Sequence, residues 1–182
     1  MMKNLISNTK SMGGKIITGI TVKKVNENGK VKINDDFIIN AKKVIITTNG
    51  FSKKLIDVDL NPARAQVLIT KTIPNLKIKG VFHIDRGYYY FRNVGNRILL
   101  GGGRNLDLKG ETTEEFGLTT LIQDKLNELL KTVIIPKHSY TIEDSWSGIM
   151  GVGENKSPII KKINKKVKIK IMTELMKLSD IL

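Results

Sequence analysis

Ser145-Trp146-Ser147-Gly148-Ile149-Met150-Gly151-Val152-Gly153-Glu154-Asn155-Lys156-Ser157-Pro158 is the stretch on which the reading of this chain turns. The single Trp of the 182-residue sequence heads a Gly-rich run that ends in Ser-Pro and Ile159-Ile160. Glycines at 148, 151 and 153 let backbone pass close to something flat or anionic, where a Cβ would clash. Pro158 stiffens the exit. The run reads as a ligand-facing loop, with Trp146 packed in the core, the usual fate of that side chain.

Upstream of the loop, His138 to Glu143 reads as a strand, and Pro136 ends the element before it. That element is a helix, because Leu118, Leu121, Ile122, Leu126, Leu129 and Leu130 recur at helical spacing. The spacing places it at about 119–131, with Thr112 and Glu115 as a capping box. Further back the pattern is β-rich. Lys15 to Val25 alternates loosely, Asn26-Glu27-Asn28-Gly29 makes a hairpin turn, and Val31 to Ile39 continues the strands across a turn at Asn34-Asp35-Asp36. Val44-Ile45-Ile46 reads as a buried strand with a tight exit at Thr47-Thr48-Asn49-Gly50. Ala65 to Thr70 is another strand. Val81 to Asp85 and Tyr88 to Arg92 flank the hairpin signature Arg86-Gly87, and Arg97 to Leu100 runs into Gly101-Gly102-Gly103. Past Pro158, Lys165 to Lys170 is basic and weakly alternating, and Leu175, Met176, Leu178 and Leu182 suit a short amphipathic helix.

Composition narrows the function classes. A hydrophobic content of 40% supports a core. No apolar run approaches the ~18 residues needed to span a membrane. The N-terminus lacks the apolar stretch of a signal peptide, so the expected location is cytoplasmic. The chain has no Cys, hence no disulfide or thiolate chemistry, and its two His residues, 83 and 138, are too scattered for zinc, so no metal site is expected. The formal charge is +14. Its source is Lys rather than Arg, with abundant Ile and Asn, as AT-rich coding sequence produces. The lysines are scattered except between Lys161 and Lys170, so a nucleic-acid partner is not expected.

The individual motifs are weighed against plainer readings. Gly101-Gly102-Gly103 lacks the sixth-position Gly and following helix of a dinucleotide loop and reads as a strand exit. On a strand, Tyr88 and Tyr90 share one face and Tyr89 takes the other. A Tyr hydroxyl reaching a substrate carboxylate is one reading, and ordinary sheet packing is the plainer one. Arg64 and Gln66 suit an anionic contact, or more plainly a solvated surface. Asp107, Glu111, Glu114, Glu115, Glu143 and Asp144 show no spaced pair with a partner base, and no Gly-x-Ser-x-Gly elbow supports hydrolysis. No catalytic residue is assigned.

Five segments in order carry a resemblance: Ala41 to Ser52, Pro62-Ala63-Arg64-Ala65-Gln66, Gly87 to Arg92, Arg97 to Gly102, and Glu143 to Gly148. Together they resemble the FAD-dependent D-amino-acid oxidase superfamily, which includes glycine and sarcosine oxidases. The resemblance implies FAD as cofactor, and contacts to it from Val22, Thr48, Asn49, Gly50, Gly148, Ile149 and Gly151. It implies substrate contacts from Tyr88, Tyr90 and Met150. An Arg that grips the substrate carboxylate in many such enzymes has Met150 in its place, which argues against a simple α-amino acid.

The expected architecture is α+β: a partial FAD-binding domain over 1–62, a mixed β-sheet substrate domain with one main helix over 63–138, and over 139–182 a partial return to the FAD-binding domain with a basic tail. The family's opening strand, Gly-x-Gly-x-x-Gly and helix are absent, so the chain reads as part of a longer enzyme. Three functions stand open. One is an FAD-dependent oxidoreductase acting on the C–N bond of a small amine or amino acid. The second is a non-catalytic fragment that needs a separately encoded N-terminal half. The third is a tRNA-linked flavoprotein.

Overall fold

The longest ladder in the protein joins Asn61–Thr70 to Ile142–Val152 and brings two of the resembling segments side by side. The computed structural model describes residues 2–34, 37–153 and 158–171. Its strands are β1 (Val22–Val25), β2 (Lys30–Ile33), β3 (Phe37–Asn40), β4 (Val44–Ile46), β5 (Asn61–Thr70), β6 (Val81–Ile84), β7 (Tyr89–Val94), β8 (Arg97–Gly102), β9 (Ile142–Val152), β10 (Ile159–Lys162) and β11 (Val167–Ile171). Among the described residues two α-helices, α1 (Met2–Ser11) and α2 (Thr120–Leu129), complete an α+β fold. Helix α1, which the sequence did not announce, buries no residue.

The strands form three sheets: β1-β2-β3, β10-β11-β4 and β6-β7-β8-β5-β9. In the third, every pairing is antiparallel, so side chains alternate between two faces. One face carries Leu68, Ile98, Leu100, Tyr89 and Phe91, and α2 lays Ile122, Leu126 and Leu129 onto it. That spacing of four and three residues makes one helical stripe, and a π-helical turn at Leu130–Ile134 prolongs it with Leu130 and Ile134. A smaller core joins Ile46, Val58, Leu60 and Val167, with Val25, Val44 and Ile159 against it.

Several expectations change. The Trp146 run is not a loop: through Val152 it is strand β9, held by partners on β5. Of its glycines, Gly151 is buried and too closely packed on Leu60 to take a Cβ, whereas Gly148 faces open space. Strand β9 starts at Ile142, so most of 138–143 lies before it. The residues from Thr112 to Glu115 do not cap a helix. Thr112 donates instead to the Leu108 carbonyl, and α2 starts at Thr120. Tyr88 follows a 3-10 turn in helical geometry (φ −66°), so β7 begins at Tyr89 and Tyr88 is not on the strand. The basic segment after Pro158 forms the β10–β11 hairpin, and β11 runs parallel to β4. The strand Val44-Ile45-Ile46 is buried on one side only, with Ile46 at 3% exposure and Ile45 at 65%. The Asp35-Asp36 turn and the helix expected around Leu175 to Leu182 lie outside the described residues.

Tyr89 and Tyr140 make a testable mark of this core. Burial pushes both phenols above the ordinary value of 10.0. A raised pKa in the folded state means the folded chain holds its protons after the unfolded chain has lost them. The related stability is therefore complete below pH 10 and is lost as pH rises past it. An alkaline denaturation series is expected to show midpoints falling above that pH, in step with late tyrosine ionisation read by ultraviolet difference spectroscopy. A flat profile would contradict the buried placement.

Candidate functional site

Strand alternation sorts the residues of β9. Trp146, Gly148 and Met150 point to one face, Ser147, Ile149 and Gly151 to the other. On the first face a row of register partners crosses the sheet: Tyr90 opposite Gly101, Gly101 opposite Val67, and Val67 opposite Trp146. His83 extends the row beside Tyr90, with ring centroids 6.5 Å apart. Further along β9, Gly148 sits opposite Ala65 and Met150 opposite Ala63. Helix α2 covers the opposite face, so this row is not part of the main core. Trp146 is 44% exposed and is not the core residue its type suggested. A Cβ on Gly148 would meet nothing within 4 Å, so no group among the described residues requires glycine there.

The second face of β9 receives the turn after β4. Asn49 adopts a left-handed φ of 48°, and its Oδ1 accepts a hydrogen bond from the Gly151 N–H at 2.9 Å. Gly50 lies so close that an added Cβ would stand 2.6 Å from the Met150 carbonyl oxygen and 2.8 Å from Ile149 Cγ2. Gly151 is equally tight, its missing Cβ 2.7 Å from Leu60. Thr48 Oγ1 and Ser52 Oγ are 3.1 Å apart and staple the turn. The turn stands at the carboxyl end of β4, which is parallel to β11. Ligands of α/β sheets bind in such crevices.

The structure therefore brings Asn49 and Gly50 against Ile149, Met150 and Gly151, leaves Thr48 bonded within its own turn and Gly148 on the far face, and puts Tyr90 on the face that Gly148 and Met150 share. Val22 lies in another sheet, opposite Ile33 on β1, and Tyr88 lies off the strand, 49% exposed.

Sequence reasoning missed Glu111. Its carboxylate is fully buried and accepts from Arg64 Nη2 at 2.7 Å, Arg64 Nε at 3.1 Å and Gln66 Nε2 at 3.0 and 3.1 Å. Donation to Glu111 holds the Arg64 guanidinium above its ordinary pKa, against the opposing effect of burial. Gln66 Oε1 accepts from the Thr119 N–H and from Gln123 Nε2, which ties the start of α2 to β5. Ser147 accepts from the Gly117 N–H at 3.0 Å and fixes the same loop to β9. Arg64 and Gln66 are thus neither solvated surface nor an anion site for a ligand. The available signal was their position two apart on one strand face. No group of three or more acidic, His or Cys side chains suits a metal among the described residues. Among the described residues, no helix is long and apolar enough to cross a membrane.

Residues 1–170 match the family described as FAD dependent oxidoreductase. The chain belongs to that family. Similar solved structures include L-proline dehydrogenase from P. horikoshii, with a TM-score of 0.73 and 19% identity over 91% of this chain and 47% of that one. Iminodiacetate oxidase from Chelativorans sp. BNC1 gives 0.74 and 15% over 93% and 47%. Glycine oxidase from Bacillus cereus gives 0.73 and 14% over 94% and 48%. These identities establish the shared fold. The chain spans about half the length of each of these structures, at 47–48%. No curated protein matches it.

FAD is the cofactor of the family. The residues present fit the ring side of it, since Gly148 leaves space for a flat group beside Trp146 and Met150. They do not fit the pyrophosphate side, for which the sequence contains no Gly-x-Gly-x-x-Gly entering a helix.

Proposed function

We propose that this chain supplies the substrate sheet and one wall of the flavin site of an enzyme that oxidises the C–N bond of a small amine. The observation that carries the reading is the open row Tyr90, Trp146, Gly148 and Met150 on one face of the sheet, with the Asn49-Gly50 turn packed on the Ile149–Gly151 backbone from the other. The flavin, when bound, supplies the two-electron acceptor. The chain's own part is to position the amine and exclude water: Trp146 and Met150 offer apolar surface, and Tyr90 lays its ring over Gly101 in the same row.

A substrate without an α-carboxylate suits this face best. Val67, Trp146, Gly148 and Met150 include no cation, the nearest on their face being Arg92, beyond Tyr90 on β7, and Arg64 points to the other face and is engaged by Glu111. A carboxylate placed there would lack the charged partner that its desolvation demands.

A second reading, that the chain works only with a complementary polypeptide, is favoured by the edge of β4. Among the described residues strand β4 pairs with β11 on one side only, and Ile45 is 65% exposed although parallel strands are ordinarily covered on both faces. Under this reading the partner brings the pyrophosphate loop.

The lone Trp makes the test direct. FAD titrated into the full chain is expected to quench Trp146 emission, and simple amines are expected to perturb the quenched state more than the matching amino acids. Unchanged emission at saturating FAD would overturn the proposed wall, and a preference for amino acids would overturn the substrate class.

A further inference from the structure

At the amino end of β4, opposite to the Thr48-Asn49-Gly50 turn, a shallow cavity of about 470 Å³ is lined by Asn28, Lys30, Asn40, Ala41, Lys42 and Lys166. Two segments far apart in sequence build it. The β1–β2 turn meets the β10–β11 turn through Lys166, whose Nζ donates to the Asn28 carbonyl at 3.1 Å and whose own carbonyl accepts from the Val44 N–H at 2.8 Å. The first turn also packs closely on the segment before β4: the Cβ that Gly29 lacks would stand 2.5 Å from the Ala41 carbonyl oxygen and 3.4 Å from Lys166 Cδ, and Gly29 holds a left-handed φ of 82°. Asn28 Oδ1 accepts from the Lys30 N–H at 3.1 Å, so its carboxamide N–H₂ is left to donate. Asn164 Oδ1 accepts from the N–H groups of Lys166 and Val167 at 2.8 and 2.9 Å, which fixes the second turn.

The charge is one-sided. Three lysines line the cavity and, among the described residues, no Asp or Glu does. The ion pairs found among the described residues involve neither Lys30 nor Lys42 nor Lys166. By contrast, a cavity of about 440 Å³ has Glu27 and Asp57 in its wall, and one of about 490 Å³ has Lys53 with Asp57 and Asp59. Like charges held around one concavity repel one another unless an anion joins them.

We infer that this cavity binds a phosphate group, presented by a small phosphorylated molecule or as free inorganic phosphate. Lys30, Lys42 and Lys166 supply the charge, and the Asn28 and Asn40 carboxamides supply neutral donors. The site is separate from the flavin wall, because it lies at the other end of β4.

The test uses the full chain at low ionic strength, with inorganic phosphate and pyrophosphate as probes. Amide shifts in NMR spectra are expected at Gly29, Ala41 and Lys166, with affinity falling as salt is added. The double variant Lys30→Gln/Lys42→Gln is expected to bind at least about tenfold more weakly, the loss of roughly 1.4 kcal/mol that accompanies removal of close charge partners. A control double variant on exposed lysines elsewhere, Lys131→Gln/Lys137→Gln, is expected to bind as the parent does. FAD quenching of Trp146 is expected to be the same in parent and both variants. Circular dichroism confirms that each variant folds. Shifts absent at the three amides, or an equal loss in the control, would overturn the site and leave only diffuse attraction to a cationic protein.

Discussion

Glu111→Ala is expected to lower the stability of the chain by about 3–5 kcal/mol, which is the usual cost of stripping one partner from a buried ion pair. The carboxylate is fully buried and takes four hydrogen bonds from Arg64 and Gln66. Without it, a guanidinium with only 13% of its side chain exposed and a buried amide lose their acceptors together. The melting temperature is expected to fall on the order of 10 °C for a chain of this length. The charge has a signature of its own. Arg64→Ala should cost at least as much as Glu111→Ala, because it leaves the fully buried carboxylate without its charged partner, whereas the guanidinium left by Glu111→Ala keeps 13% of its side chain exposed. The double variant should cost clearly less than the sum of the two singles. Thermal or urea unfolding of the three variants checks this. A loss under 1 kcal/mol for Glu111→Ala, or strict additivity, would mean that the cluster is not the clamp between β5, α2 and the loop that joins them.

Gly50→Ala is the second large effect. The added methyl would meet a backbone carbonyl at 2.6 Å, and backbone cannot swing aside as a side-chain tip does. Strand β9 or the turn after β4 must shift, at a cost of about 1–3 kcal/mol by analogy with overpacked cores. The shift stretches the Asn49 to Gly151 hydrogen bond and separates the two segments proposed to flank the flavin. Affinity for FAD is therefore expected to fall further than stability does. Gly87→Ala is a fair comparison: its nearest neighbour is His83 Nδ1 at 3.7 Å, so it carries the backbone strain of a positive φ without the close contact. Unfolding curves together with FAD titrations separate the two effects. Equal FAD binding by Gly50→Ala and the parent would show that the junction has no part in the cofactor site.

The parts of the fold that could be read from sequence are those whose signals are local. The apolar spacing from Ile122 to Leu129 announced α2, and β-branched runs with Asn-Gly or Arg-Gly turns announced the hairpins. The Trp146 run was harder. Glycines at 148, 151 and 153 hide the alternation that marks a strand, and only pairing with β5 reveals it. Glu111 was illegible for another reason: its partners are 47 and 45 residues away, and nothing within its own segment reports them. The β10–β11 hairpin joins β4 from more than a hundred residues away, so its lysines looked like a tail rather than a sheet. At the site, the segments named from the resemblance meet around Gly50 and Gly151, but the face on which each side chain lies came from the register alone.

The most direct measurement compares FAD binding by the parent chain and by Gly148→Leu, read through Trp146 emission and through flavin absorbance at about 450 nm retained after desalting. Among the described residues nothing lies within 4 Å of the position the new side chain would start from, so the fold should be undisturbed and the melting temperature nearly unchanged. If the face of Gly148 and Met150 is the flavin wall, the parent quenches on adding FAD and Gly148→Leu does not. If both quench alike, or neither does, this face is not where the flavin binds.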